Sequence, residues 1–164
     1  MADIDQETRD DKQGMTPIVK TIVRFALGIM VIFGAYIILY GHLTPGGGFA
    51  GGVILACGYI ILTLAFGKDV ALRKLSNTGA SILDNLGALA FIAIGIIGFS
   101  AGFFFKNFLG HGRMFDLWSA GTIPLCNIAI GLKVTASLFA VFIALSIFGR
   151  FIYQMAGDEE EQER

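Results

Sequence analysis

Four long apolar stretches alternate with polar connections along the chain, at about residues 22–40, 49–66, 82–105 and 123–148. Each is long enough to cross about 30 Å of hydrocarbon at roughly 1.5 Å per residue of helix. None shows the polar face that a core helix of a water-soluble protein carries over such a length. Lipid offers no partner to an open backbone, so the pattern predicts an all-α membrane protein of four transmembrane helices. Residues 1–17 are expected to be a disordered acidic tail, 18–152 the four-helix domain, and 153–164 a second acidic tail.

Composition sharpens this picture. Of 164 residues, 55% are hydrophobic and 15% charged, where a soluble domain averages about a quarter charged. The acids gather at the two ends, leaving Asp69, Asp84 and Asp116 for everything between. The first residues are acidic rather than a basic region leading into a short apolar run, so no cleavable signal peptide is expected. No basic patch or nucleic-acid motif is present, and no nucleic-acid partner is expected.

Lys and Arg give the direction. Arg9, Lys12, Lys20 and Arg24 flank the first stretch, Lys68, Arg73 and Lys74 follow the second, and Arg150 and Arg164 follow the fourth. The opposite side has only Lys106 and Arg113, which places the N and C termini in the cytoplasm. Trp118 falls where an indole suits the outer interface. Lys106, His111, Arg113 and Asp116 form an outer surface loop, and Phe99, Phe103, Phe104, Phe105 and Phe108 supply lipid-facing or packing bulk.

The helices are rich in glycine. In the third stretch Gly87, Gly95, Gly98, Gly102 and Asp84 fall within about 80° of one another at 100° per residue. Gly98/Gly102, Gly47/Gly51 and Gly48/Gly52 have the small-xxx-small spacing that lets helix backbones approach closely in lipid. They serve either this chain's own packing or contacts with other subunits. The densest run, Gly41-His42-Leu43-Thr44-Pro45-Gly46-Gly47-Gly48-Phe49-Ala50-Gly51-Gly52, joins the first two stretches on the outer side. Pro45 lacks a backbone donor and disfavours helix at Thr44, so this segment is expected to enter the membrane as irregular backbone held against protein or water.

Gly46, Gly48 and Gly51 spell G-x-G-x-x-G by chance, because no strand precedes them and no βαβ unit follows. Cys57 and Cys126 lie far apart in apolar runs and read as small hydrophobes. No metal cluster, nucleophile–base pair or cofactor motif is present, so neither a cofactor nor an enzyme active site is expected.

Four residues are candidates for an ion path: Lys133, Asp84, His42 and Asn127. Lys133 lies about ten residues into the fourth stretch, roughly 15 Å deep, where a charge costs a few kcal/mol even on the gentlest scale. Ala136, Ser137, Ala140 and Ala144 share its helical face, so it points along a lane of small residues. It is either a relay or gating charge on a hydrated path or a pin between helices. Asp84 is expected in the first turn of the third helix, as a dipole-favoured acid or an ion-entry group, and out of reach of Lys133. The partner of Lys133 is then expected to be a carboxylate on another subunit. His42 is a proton carrier at a pore mouth or a helix-end hydrogen bonder, and Asn127 serves a separate contact.

The run GHLTPGGGFAGG, with Gly131-Leu132-Lys133-Val134 inside the fourth stretch, resembles the B-type membrane component of the multisubunit (Mrp-type) sodium/proton antiporters. It is equally similar to the homologous small membrane subunit of membrane-bound hydrogenases and related respiratory complexes. The resemblance covers about residues 20–150 and leaves out the acidic tails. It implies a four-helix subunit of the prokaryotic cytoplasmic membrane, with no catalytic centre of its own, embedded among other antiporter-like subunits. Na+ and H+ are the expected transported ions, and Pro45, Gly46, Gly47, Gly48, Phe49, Gly51 and Gly52 are read as an inter-subunit or structural loop. A purely structural subunit, an accessory subunit of a redox-driven pump and a stand-alone transporter are the competing readings; the last would need internal symmetry or paired intramembrane charges.

Overall fold

The computed structural model describes residues 15–67, 76–110, 112, 117 and 119–162. The expectations for the N-terminal tail, for the central loop with Lys68, Arg73 and Lys74, and for His111, Arg113, Asp116 and Trp118 lie outside these residues. Among the described residues the protein is all-helical: α1 (Pro17–Leu39), α2 (Gly47–Phe66), α3 (Asn77–Ile97) and α4 (Ile123–Gln162), with a short 3-10 turn, Gly98–Ala101, closing α3. All four helices contain a segment long and apolar enough to cross a membrane. This is a multi-pass membrane protein.

The helices stand in a row in the order α1, α2, α4, α3. The two central helices each pack on a neighbour at either side, and α3 leans chiefly on α4. The Met15 amide donates to the Ala65 carbonyl at 3.0 Å, tying the start of α1 to the end of α2. A small core of Ala80, Phe139 and Ile143, with Tyr59 and Phe142 against it, joins the start of α3 to the later part of α4. These contacts put both ends of the helical domain on one face, the tail side, and the Gly41–Gly46 connection on the opposite face, the turn side.

Glycines set how closely the row packs. A Cβ on Gly34 would meet Leu55 at 2.9 Å and the Gly51 carbonyl at 3.2 Å, so α1 and α2 nearly touch through backbone. A Cβ on Gly52 would meet the Gly131 carbonyl at 2.8 Å, which brings α2 equally close to α4. There the Thr135 hydroxyl donates to the carbonyls of Gly131 at 2.7 Å and Gly52 at 3.2 Å. Lipid cannot drive helices together by hydrophobic burial, so such close contacts and interhelical hydrogen bonds carry the association.

Several boundaries differ from expectation. The irregular backbone between α1 and α2 is confined to residues 40–46, and Gly47–Gly52 are already helical. The glycines there admit neighbouring backbones rather than unwind the chain, and only Gly46 (φ 115°) and Gly47 (φ 58°) need left-handed conformations. The third helix ends at Ile97, not Phe105. The chain then doubles back, so that the Phe105 amide donates to the Gly95 carbonyl at 3.2 Å and the Phe104 and Phe105 rings lie over Gly95. Gly102, in the left-handed conformation, terminates this turn, so Gly98/Gly102 is not a helix-packing seam. Finally, α4 continues through the acid-rich end to Gln162. Its 40 residues span about 60 Å at 1.5 Å per residue, well beyond the apolar part, which ends at Gly149.

Candidate functional site

The four candidate residues divide into two places. Asn127 and His42 belong to the turn side. Asn127, in the second turn of α4, sits beneath the glycine run: Cβ atoms on Gly41 and Gly47 would meet its amide at 2.8 and 3.2 Å, and one on Gly48 would strike its carbonyl. Its Nδ2 is buried with no hydrogen-bond acceptor among the described residues. His42 is half-buried in the connection itself. The glycine run divides as well. Gly48, Gly51 and Gly52 are buried inside the chain, whereas Pro45, Gly46 and Phe49 face outward, Phe49 at 64% exposure.

Lys133 and Asp84 meet. Lys133 Nζ donates to Asp84 Oδ1 at 2.9 Å and to Ser137 Oγ at 3.3 Å, and the Ser137 hydroxyl donates to the same Oδ1 at 2.6 Å. The expectation that this pair lay out of reach is therefore corrected, for two reasons. The third helix begins at Asn77, capped by Ser76, whose Oγ accepts the Gly79 amide at 3.0 Å. Asp84 is thus about two turns inside the helix, not in its first turn, and a favourable helix dipole no longer accounts for it. The Lys133 side chain also bends toward Ser137, one turn closer to the tail side, which brings its charge down to Asp84. Ser137, expected only as a small residue in the lane, is the third member of the cluster. Its spacing of four from Lys133 was the sequence signal for that role.

The cluster does not close on itself. The side chains of Lys133 and Asp84 are 45% and 35% exposed on the surface of this chain. Both bonds to Asp84 end on Oδ1, leaving Oδ2 without a partner among the described residues, and one Lys133 proton is likewise unused. Beside the pair, toward the turn side, an open cavity of about 310 Å³ lies between α3 and α4. Gly87, Ala88, Phe91 and Ile92 line it from α3, and Ala129, Ile130 and Lys133 from α4. Gly87 makes the crossing possible, since a Cβ there would meet the Ala129 carbonyl at 2.8 Å and Lys133 Cβ at 2.9 Å.

The ion pair thus lies within the membrane-spanning part of a glycine-packed helix row. Residues 18–149 match the family described as the domain related to the MnhB subunit of the Na+/H+ antiporter. The chain belongs to this MnhB-related family. Among relatives, an uncharacterised protein of Methanocaldococcus jannaschii is 36% identical over 90% of this chain and 59% of its own length. A putative antiporter subunit, mnhB2, of Staphylococcus aureus is 31% identical over 79% of this chain and 93% of its own. Among solved structures, a chain of the membrane-bound sulfane sulfur reductase, an archaeal respiratory membrane complex, superposes with a TM-score of 0.65 at 29% identity. That match covers 80% of this MnhB-related chain and 60% of the other. The protein thus spans about three-fifths of the length of two of these relatives.

Proposed function

We propose that this protein is a non-catalytic membrane subunit of a multisubunit cation/proton antiporter, exchanging sodium for protons, with its termini in the cytoplasm. The observation that carries the reading is the Lys133–Asp84–Ser137 cluster: charged, partnered, and still partly open at membrane depth. A pair that served only to pin α3 to α4 would gain from being sealed, because exposed polar atoms in hydrocarbon are costly. Left open, it suits a polar station beside a hydrated path, where Lys133 and Asp84 exchange partners with water or a passing ion. Pro45 and Phe49 face away from the row and fit contact with a neighbouring subunit. A second reading, a homologous subunit of a redox-driven ion pump, is favoured by the likeness to a chain of a respiratory membrane complex.

The test is Lys133→Met in the tagged complex, with sodium-driven proton movement measured in inverted vesicles beside the amount of assembled complex. Exchange is expected to fall at least tenfold while assembly persists. Normal exchange by an assembled K133M complex would remove the residue from the path, and loss of assembly would leave it a scaffold charge. Mass spectrometry of the purified complex separates the two parents, since iron–sulfur or nickel subunits mark a redox-driven pump.

A further inference from the structure

At the other end of the row, the tail-side part of α1 carries charge that its neighbours do not answer. Lys20 and Arg24 lie one turn apart on α1, where like charges repel, and neither α1 nor α2 contains an Asp or Glu. Among the described residues neither cation has a carboxylate within ion-pair distance, a contact made instead by Lys133 and Asp84. Arg24 lays its guanidinium over the Phe66 ring, 5.2 Å from the centroid. Depth makes this contact informative. Arg24 lies seven residues into α1, about 10 Å along its axis at 1.5 Å per residue, inside the apolar span. Phe66 is the last residue of α2, at the tail-side boundary. Stacking on Phe66 therefore turns the long side chain back to the interface, as a charge within hydrocarbon requires.

The ring covers one face of the guanidinium and leaves its planar fork of donors, which matches the paired oxygens of a phosphate. Water can fill those hydrogen bonds but leaves two like charges uncompensated; an anion removes the repulsion. The phosphates of a bilayer lie at this level, and basic residues at a helix end attract anionic headgroups. The same flank of α1 continues toward the membrane centre through Gly28 and Val31. A Cβ on Gly28 would have nothing within 4 Å, and Val31 is 43% exposed. A cationic end that opens onto free apolar surface suits a lipid and not a free phosphate. We propose that Lys20 and Arg24 bind the phosphodiester of an anionic phospholipid, with Phe66 fixing the arginine and an acyl chain lying over Gly28 and Val31. The site depends neither on ions passing Lys133 nor on which kind of complex houses the chain.

Two measurements on the full chain within its complex test it. In the first, Gly28→benzoylphenylalanine is irradiated in the native membrane and the adducts are identified by mass spectrometry. Phosphatidylglycerol or cardiolipin adducts are expected at about tenfold their share of the membrane, within the reach of two basic contacts. Lys20→Gln combined with Arg24→Gln should return them to that share. Adducts in bulk lipid proportions, to another subunit or to this chain's own acidic N-terminal residues would overturn the proposal. In the second, the delipidated complex is followed by hydrogen exchange. Dioctanoyl-phosphatidylglycerol should slow exchange in the first two turns of α1 severalfold, and dioctanoyl-phosphatidylcholine should not. Equal slowing by the two lipids removes the charge requirement, and equal slowing by inorganic phosphate removes the lipid.

Discussion

Lys133 holds the central polar group of this membrane domain, and its neighbours decide what losing it means. Asp84 Oδ1 accepts from both Lys133 and Ser137, so removing either charge leaves the other without its partner at membrane depth. An unpaired charge there costs about 2.5–3.5 kcal/mol on insertion scales, an upper figure because the pair is partly open. Lys133→Met and Asp84→Asn should therefore each lower thermal stability in detergent, whereas the double variant, with no charge left, should recover at least half of the loss. A strictly additive double variant would mean that the two residues are energetically independent. Ser137→Ala keeps both charges and removes one bridging hydroxyl, so a smaller loss of about 0.5–1 kcal/mol is expected.

At the scale of the helices, glycine position decides the outcome of substitution, and residue type alone does not. Gly48 lies where a Cβ would collide with the backbone of Asn127, whereas Gly28 has nothing within 4 Å of the same atom. Gly48→Ala must push α2 away from α4 and should cost about 2–3 kcal/mol, at the upper end of overpacking penalties. Gly28→Ala should be neutral or stabilising by up to about 1 kcal/mol, since α1 gains a better helix former without a clash. Thermal unfolding of the two variants side by side checks the contrast, and equal effects would show that the α2–α4 contact is not tight. Thr135→Val loses a hydroxyl that bridges Gly131 and Gly52; about 0.6 kcal/mol is the expected cost, typical of interhelical hydrogen bonds in membranes.

For the whole molecule, the row order α1, α2, α4, α3 leaves α3 with one main helix neighbour. It is the element whose position depends most on a surrounding complex. In the isolated protein, hydrogen exchange should be fastest in α3 among the four helices, and assembly should slow it more than it slows α2. Both ends of the domain lie on the tail side, so reporters fused at the N and C termini should give the same topological signal and one inserted after Pro45 the opposite signal. If the Lys and Arg bias governs insertion, the terminal reporters are the cytoplasmic ones.

The number and approximate extent of the helices follow from the sequence alone, because spanning hydrocarbon imposes a length and an apolar composition that short-range inspection detects. The glycine run and the lone mid-membrane lysine are visible there too, since each breaks a rule that lipid enforces residue by residue. What those residues do depended on tertiary structure. Gly48 and Gly52 carry no sign of which backbone they admit, and only the packed row sets Asn127 and Gly131 against them. Likewise, Lys133 and Asp84 are 49 positions apart. Their pairing rests on two things: a third helix that starts five residues earlier than its apolar run suggests, and a lysine stem that bends a full turn toward Ser137. Depth in a membrane can be counted along one helix, but contact between two helices depends on register, and register is set by close packing across the row.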